Sequence, residues 1–581
     1  MTENIRHQKM IISLIIFLGI ILILGVPFTQ WWLTGDDFHG VYLGFKATSW
    51  HDLFNFFYEG HTNQGAGSHF CEIIHRPSFL GAYYRPLYCI FITLQYWLLG
   101  LNIYGYFLCN VVMHALNTTL LFRIFSTFAK IGPALAAALL FAVHPQIGYR
   151  FGAVVNFHYY VNVACILLIG ICIKKYFDTA HKSYYFFAAI LYAISLCTRE
   201  TTIVLPAIIT SWYALFGNNQ LKPSFIQALK NTPKALVKTA WFWIIALAFL
   251  GLRAYLYPIV LQTNGLCLPY VAHGNFIAHK SQEFLMMLYD ILALSWLPWG
   301  NRLLKVIIIA PTFCFFAWCW LKSTARWYIF WCFISMVAML WPGFISYYSP
   351  RYLYEAYPFG LLGMLLLVHS AQTIPQWIKR ILLYSSLILV SLYSLLAVYN
   401  LHTRSTKMQH AQLATISLAK ELHNSTRPLC FMCIPNDGFA ECFPHDTLAI
   451  MFNNKQYPAF TDSASFITQA DANIVQTLCC ANVISPYYKQ NYYTITPVPG
   501  GIRITSLNAN KVHFNEADFA QPTQLGTRII HNRARYKNTT VITDFSLIIT
   551  PDLMAQQPLF AHWDYTMQRF ATFTLPDHVL T

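Results

Sequence analysis

The sequence predicts a polytopic α-helical membrane protein ending in a soluble α+β domain, and three observations carry that reading. Composition is the first: 56% of the 581 residues are hydrophobic and 10% are charged, whereas soluble domains run to about 45–50% and about 25%. Second, apolar runs of roughly 15–25 residues recur up to residue 400, each able to cross a hydrocarbon core ~30 Å thick when some are short or tilted. Third, beyond residue 400 the runs shorten to strand length, as in "PLCFMCIP" and "LAIMF". The predicted division is therefore a transmembrane domain over 1–400 and an extracytoplasmic domain over 401–581.

The first run, 10–28, has no small-residue cleavage site and ends in Pro27 and Phe28, so it reads as a retained helix. Further spans follow at 102–125, 132–145, 156–174, 182–197, 202–217, 239–258, 303–321, 327–341, 353–370 and 380–399, giving about eleven transmembrane helices. Two other apolar stretches, 86–100 and 284–299, are amphipathic or interrupted and are expected at the outer surface. A long first outer loop occupies 29–101.

Basic residues set the orientation. Arg6, Lys9, Arg123, Lys130, Lys174, Lys175, Lys182, Lys222, Lys230, Lys234, Lys238, Lys322, Arg326, Lys379 and Arg380 all fall in alternate loops, which the positive-inside rule places in the cytoplasm. The N-terminus is then cytoplasmic, and an odd number of crossings puts the C-terminal domain outside. This distribution accounts for the formal net charge of +15 as topology; no basic face on a soluble module suggests nucleic acid.

The C-terminal segment carries a hairpin signal, "YYTITPVPGGIRITSL", in which Pro-Gly-Gly separates two alternating runs. Its cysteines, Cys430, Cys433, Cys442, Cys479 and Cys480, are odd in number and allow at most two bridges. Cys430 and Cys433 fall in one strand-like run, where their side chains are expected on opposite faces.

Ionisable residues gather on the predicted outer side. Asp36 and Asp37 follow the first span. "YYRPLY" places Tyr84 and Arg85, "FAVHP" places His144, "CTRETT" places Arg199 and Glu200, and "SPRYLYEAY" places Arg351 and Tyr354. Charges at a membrane boundary are costly unless hydrated or paired, so such residues are functional candidates. A single arginine there equally suits snorkelling to lipid headgroups, and Gly-Asp-Asp alone is a good turn tripeptide. Several such sites on one face favour a shared pocket.

The ordered set Asp36-Asp37, Tyr84-Arg85-Pro86-Leu87, His144-Pro145, Arg199-Glu200 and Arg351-Tyr352-Leu353-Tyr354 resembles the GT-C superfamily of integral-membrane glycosyltransferases. The resemblance is to the branch with protein O-mannosyltransferases, aminoarabinose transferases and TMTC-like transferases. It covers roughly residues 10–400, without the tetratricopeptide repeats of the animal members and with "QIGYRFGAVVNFHYY" where Glu and Trp are commoner. It implies a GT-C-like fold and a sugar donor linked to a polyprenyl phosphate. It implies an acceptor that is a protein, an envelope glycan or a lipid, and a bacterial inner membrane facing the periplasm rather than the endoplasmic reticulum.

The residues suit that chemistry. A glycosidase needs one carboxyl as base or nucleophile and one as acid, but a phosphate leaving group is already stable as an anion. It requires a cation, and arginine binds phosphate oxygens bidentately. Asp36 is thus expected as general base, with Asp37 orienting it or raising its pKa by repulsion. Arg85 and then Arg351 are expected at the donor phosphate. Tyr84, His144, Arg199, Glu200 and Tyr354 are expected to shape the pocket or pair with the arginines. The resemblance implies no cofactor and no metal. A zinc ion at His69, Cys71, Glu72 and His75, or Mg²⁺ or Mn²⁺ on Asp36-Asp37, is the alternative. The rival functions are a transporter or flippase of a lipid-linked saccharide, which would show repeated halves and midplane polar residues, and an O-antigen polymerase- or ligase-like enzyme.

Overall fold

The computed structural model describes residues 3–25, 41, 44, 47–59, 84–100, 102–144, 154–217, 225–256, 314, 317–345 and 352–370, single positions from 375 to 399, and 429–433, 493–499, 501–506, 514–515, 526–536, 539–549, 559–564 and 569–574. The chain divides into two compact units, one of residues 1–29, 84–91 and 105–402, the other of residues 30–83, 92–104 and 403–581.

The first unit is helical. It contains α1 (Glu3–Gly25), and later α4 (Ile103–Phe128), α5 (Ile131–Val143), α6 (Phe157–Thr179), α7 (Lys182–Thr198) and α8 (Leu205–Phe216). The helices α9 (Phe225–Lys238), α10 (Ala240–Leu256), α11 (Arg326–Ile345) and α12 (Leu353–Ser370) complete it. The numbering leaves α2 (Trp50–Glu59) to the second unit, and α3 (Pro86–Leu99) carries residues of both.

Most of these helices coincide with the apolar runs of the sequence. Among the described residues, three helices are long and apolar enough to cross a membrane, His7–Gly25, Tyr104–Phe128 and Phe157–Thr179, or four if the bent pair Ile226–Lys238 and Ala240–Tyr255 forms one span. At 13 residues α5 rises only about 20 Å, so eleven full-length crossings do not follow from helix length. Outward rows such as Ile381, Tyr384, Ile388, Leu392, Leu395 and Tyr399, all exposed, suit a lipid-facing surface.

The core of the first unit is a layer of aliphatic and aromatic side chains from α6, α7, α8, α10, α11 and α12. α11 and α12 approach closely because α12 offers glycines. A Cβ at Gly360 would lie 2.6 Å from Met336 Sδ, and one at Gly363 3.1 Å from Cys332 Cβ. One helix is not legible in the sequence. The sequence reading treats the lysine-rich stretch after 217 as a loop, yet residues 225–238 form α9. Lysines and Pro233 interrupt its apolar run, so it carries no spanning signal.

In the second unit, α2 begins with a capping box. The Ser49 hydroxyl accepts the Asp52 N–H at 3.3 Å, and the Asp52 carboxylate accepts the N–H groups of Thr48 and Ser49 at 2.8 and 2.9 Å. Those backbone donors hold the Asp52 pKa below its ordinary value. Trp50 meets Trp97 edge-on at 5.3 Å, and the Trp97 indole N–H donates to the Ala47 carbonyl at 2.8 Å.

From residue 403 onward, every described element is a strand: β1 (Leu429–Cys433), β2 (Tyr493–Val498), β3 (Gly501–Ser506), β4 (Phe514–Asn515), β5 (Gly526–Tyr536), β6 (Thr539–Ile549), β7 (Leu559–Asp564) and β8 (Arg569–Thr574). The expected hairpin forms, with Val498 opposite Gly501. Pro497 is tolerated because β2 is an edge strand. The antiparallel sheet runs β2-β3-β6-β4, with β5 also on β6. A second sheet has the order β1-β7-β8, with β1 parallel to β7. Its register shifts between Phe431 and Cys433, so Cys430 and Cys433 pair with Phe560 and His562, positions only two apart on β7.

Candidate functional site

The site grows from the turn after α7. Arg199 closes that helix in extended backbone (φ −160°, ψ 125°), and residues Glu200–Val204 form a single 3₁₀ segment leading into α8. Extended backbone at Arg199 sends it and Glu200 to different surroundings.

Arg199 goes inward. It and Glu355, in the first turn of α12, are both 0% exposed, and the guanidinium Nε lies 2.7 Å from the carboxylate. Three neutral groups complete the cluster. Thr201 donates to Glu355 Oε2 at 2.7 Å, Asn162 Nδ2 donates to Glu355 Oε1 at 2.8 Å, and Ser195 donates to Asn162 Oδ1 at 2.5 Å. The guanidinium also lies over the Tyr159 ring at 3.6 Å and the Tyr352 ring at 4.9 Å. A buried pair survives only with such surrounding hydrogen bonds; here it ties α6, α7 and α12 together.

Glu200 faces a different group. Its Oε1 accepts the backbone N–H of Tyr84 at 2.7 Å, Arg85 Nη2 stands 3.5 Å from Oε2, and Arg253 Nε stands 3.7 Å from Oε1. The Tyr84 ring is buried and packs against Phe249, one turn before Arg253 on α10. Two guanidinium groups thus face one carboxylate. The Arg199–Glu355 pair is separate and compensated within itself. At 3.5 and 3.7 Å neither arginine is locked into a short fork on Glu200.

A third group lies deeper. His114 Nε2 is 3.0 Å from the Ala142 carbonyl, which can only accept, so the proton sits on Nε2. Nδ1 then accepts from the Tyr354 hydroxyl at 2.8 Å, and the Tyr354 oxygen accepts from Asn117 Nδ2 at 3.0 Å. His144 is buried at the end of α5, its ring 4.6 Å from that of Tyr357.

Of the residues singled out by sequence, Tyr84, Arg85 and Glu200 come together, while Arg199 turns away to Glu355. Tyr354 belongs to the His114 group and His144 to Tyr357. Asp36, Asp37 and Arg351 lie outside the described residues, as do His69, Cys71, Glu72 and His75. The sequence alone does not single out Arg253 or Glu355. Each is a lone charge in an apolar helix, and that isolation was the available signal.

No family model matches the chain, and no curated protein does. Among solved structures, it is similar to ArnT from Cupriavidus metallidurans bound to undecaprenyl phosphate, with 13% identity, a TM-score of 0.39, and coverage of 78% of this chain and 77% of that one. It is also similar to the Archaeoglobus fulgidus oligosaccharyltransferase in the apo form, with 12% identity, a TM-score of 0.39, and coverage of 71% of this chain and 58% of that one.

The charged groups fall at one set of helix ends: before α3, after α7, late in α10 and at the start of α12. Lys9 and Ser126, joined at 2.8 Å, mark the opposite ends of α1 and α4. Paired guanidinium groups at helix ends are of the chemistry that binds an anion such as a phosphate.

Proposed function

We propose that this chain is a membrane glycosyltransferase that moves a sugar from a polyprenyl-phosphate-linked donor to an acceptor hydroxyl on the extracytoplasmic side, without a metal. The observation that carries the reading is the convergence of Arg85 and Arg253 on Glu200, within the ordered motifs that Asp36-Asp37 opens.

In this account the acceptor oxygen forms its bond to the anomeric carbon as the bond from that carbon to the phosphate oxygen breaks. The electron pair leaves with the phosphate, and Arg85 and Arg253 take up its charge. Glu200 sets the spacing of the two guanidinium groups and is not itself the base. Asp36 accepts the acceptor's proton, Asp37 orients it, and Arg351 is a second contact for the donor. The acceptor is a protein, an envelope glycan or a lipid.

The test is transfer from radiolabelled polyprenyl-phosphate sugars by the purified, reconstituted chain. Asp36→Asn is expected to lower the rate about 10²–10⁴-fold, and Arg85→Ala about 10²–10³-fold, as for loss of one charge-stabilising donor. Chelation of divalent ions is expected to leave the rate unchanged. Full transfer by both variants at normal expression would refute the reading.

A further inference from the structure

Helix α9 takes no part in the site, and its surface is divided into three faces. Ala228 and Ala235 are buried, and between them Asn231 donates to the Ala214 carbonyl of α8 at 3.1 Å. The small side chains let α9 lie close against α8. Around the helix from that face come Leu236, Leu229, Ile226 and Val237, all exposed, the last at 77%. Next come Lys230, Lys234 and Lys238, one turn apart and also exposed. Among the described residues none of these lysines pairs with a carboxylate, whereas Lys174 meets Asp178 at 2.8 Å.

The path of the chain adds an independent observation. α9 and the apolar α10 meet at 67° across a single residue, Thr239. The bend is fixed: the Thr239 hydroxyl donates to Ala235 O at 2.9 Å and accepts from Thr210 at 2.7 Å, and Thr210 accepts from the Trp243 indole at 3.0 Å. If α10 runs close to the membrane normal, α9 lies nearer the membrane plane than the normal. An exposed apolar row beside a basic row, on such a helix, matches the layer where acyl chains meet phosphates.

We propose that α9 is an interfacial helix that docks on anionic phospholipid, with Leu229, Leu236, Ile226 and Val237 in the acyl boundary and Lys230, Lys234 and Lys238 against headgroup phosphates. Charge complementarity selects that occupant over a soluble apolar partner. The lysine row lies at the helix ends opposite the arginine cluster, so this site is separate from the proposed donor site and stands whether or not the chain transfers sugar.

The test is hydrogen exchange of residues 225–238 in the full chain, held in nanodiscs of phosphatidylcholine alone or with phosphatidylglycerol added. Exchange is expected to slow at least about five-fold in the anionic discs, the effect of one surface lysine. The slowing should disappear at high salt and in the K230Q/K234Q/K238Q variant, and persist in the corresponding lysine-to-arginine variant. The salt arm needs no variant, so misfolding of the glutamine variant leaves the test intact. Equal exchange in the two discs, salt-insensitive slowing, or protection only when two copies share a disc would overturn the proposal.

Discussion

Glu355 and Arg199 show what one enclosed charge demands of its neighbours. Substituting Glu355→Gln strands the guanidinium among Tyr159, Tyr352 and Thr201, and loss of one partner of such a pair costs about 3–5 kcal/mol. Thermal unfolding of the purified variant should therefore begin well below that of the parent; an unshifted transition would mean the pair is hydrated. Tyr354→Phe is milder. It removes a hydroxyl that His114 and Asn117 both use, leaving two buried polar groups short of a partner at about 1–3 kcal/mol. Arg85 differs from Arg199 in kind: its side chain is 15% exposed and its contact with Glu200 is longer. In the proposed mechanism Arg85 meets the donor phosphate, whereas Arg199 ties helices together. "TRET" alone could not separate those roles, because the extended backbone at Arg199 is not written in the residue types.

At the scale of elements, helices announced by unbroken apolar runs were legible almost to their ends, as 182–197 against Lys182–Thr198 illustrates. α9 was hidden because its lipid-facing row is narrow and lysines share its surface. The hairpin β2–β3 was legible because Pro-Gly-Gly between alternating runs admits few other structures. The β3–β6 pairing was not, since strand partners distant in sequence leave no local mark. That pairing is held by Arg503, whose Nε donates to Asp544 Oδ1 at 2.9 Å, with Thr505 donating to the same oxygen at 3.0 Å. The arginine keeps the Asp544 pKa below its ordinary value. A depressed carboxylate contributes stability above its unfolded pKa of about 3.9 and loses it as pH falls through the folded value. Asp544→Asn should thus destabilise the strand domain slightly at neutral pH, the solvent around Arg503 screening much of the attraction. The difference from the parent should vanish in strong acid, and urea titrations at several pH values would reveal a pH-independent difference if the pair contributes nothing.

For the whole molecule, sequence order already pointed to one group of outer residues, but not to which of them meet. Tyr84, Arg85 and Glu200 were legible as a set through their motifs, whereas Asp36 and Asp37 lie outside the described residues. Arg253 was not legible, because a single arginine late in an apolar helix reads equally as snorkelling to headgroups. Folding brings α10 beside the residues before α3, and that long-range contact gathers Arg85 and Arg253 around Glu200. The proposed donor chemistry rests on that pair. The most direct measurement is the affinity of the detergent-purified chain for a polyprenyl phosphate, compared among the parent, Arg85→Ala, Arg253→Ala and the double variant. The account predicts that each single substitution weakens binding at least about ten-fold, as loss of a charge-assisted contact should, and that the double variant binds more weakly than either. Unchanged affinity in the double variant, with the protein folded, would contradict it.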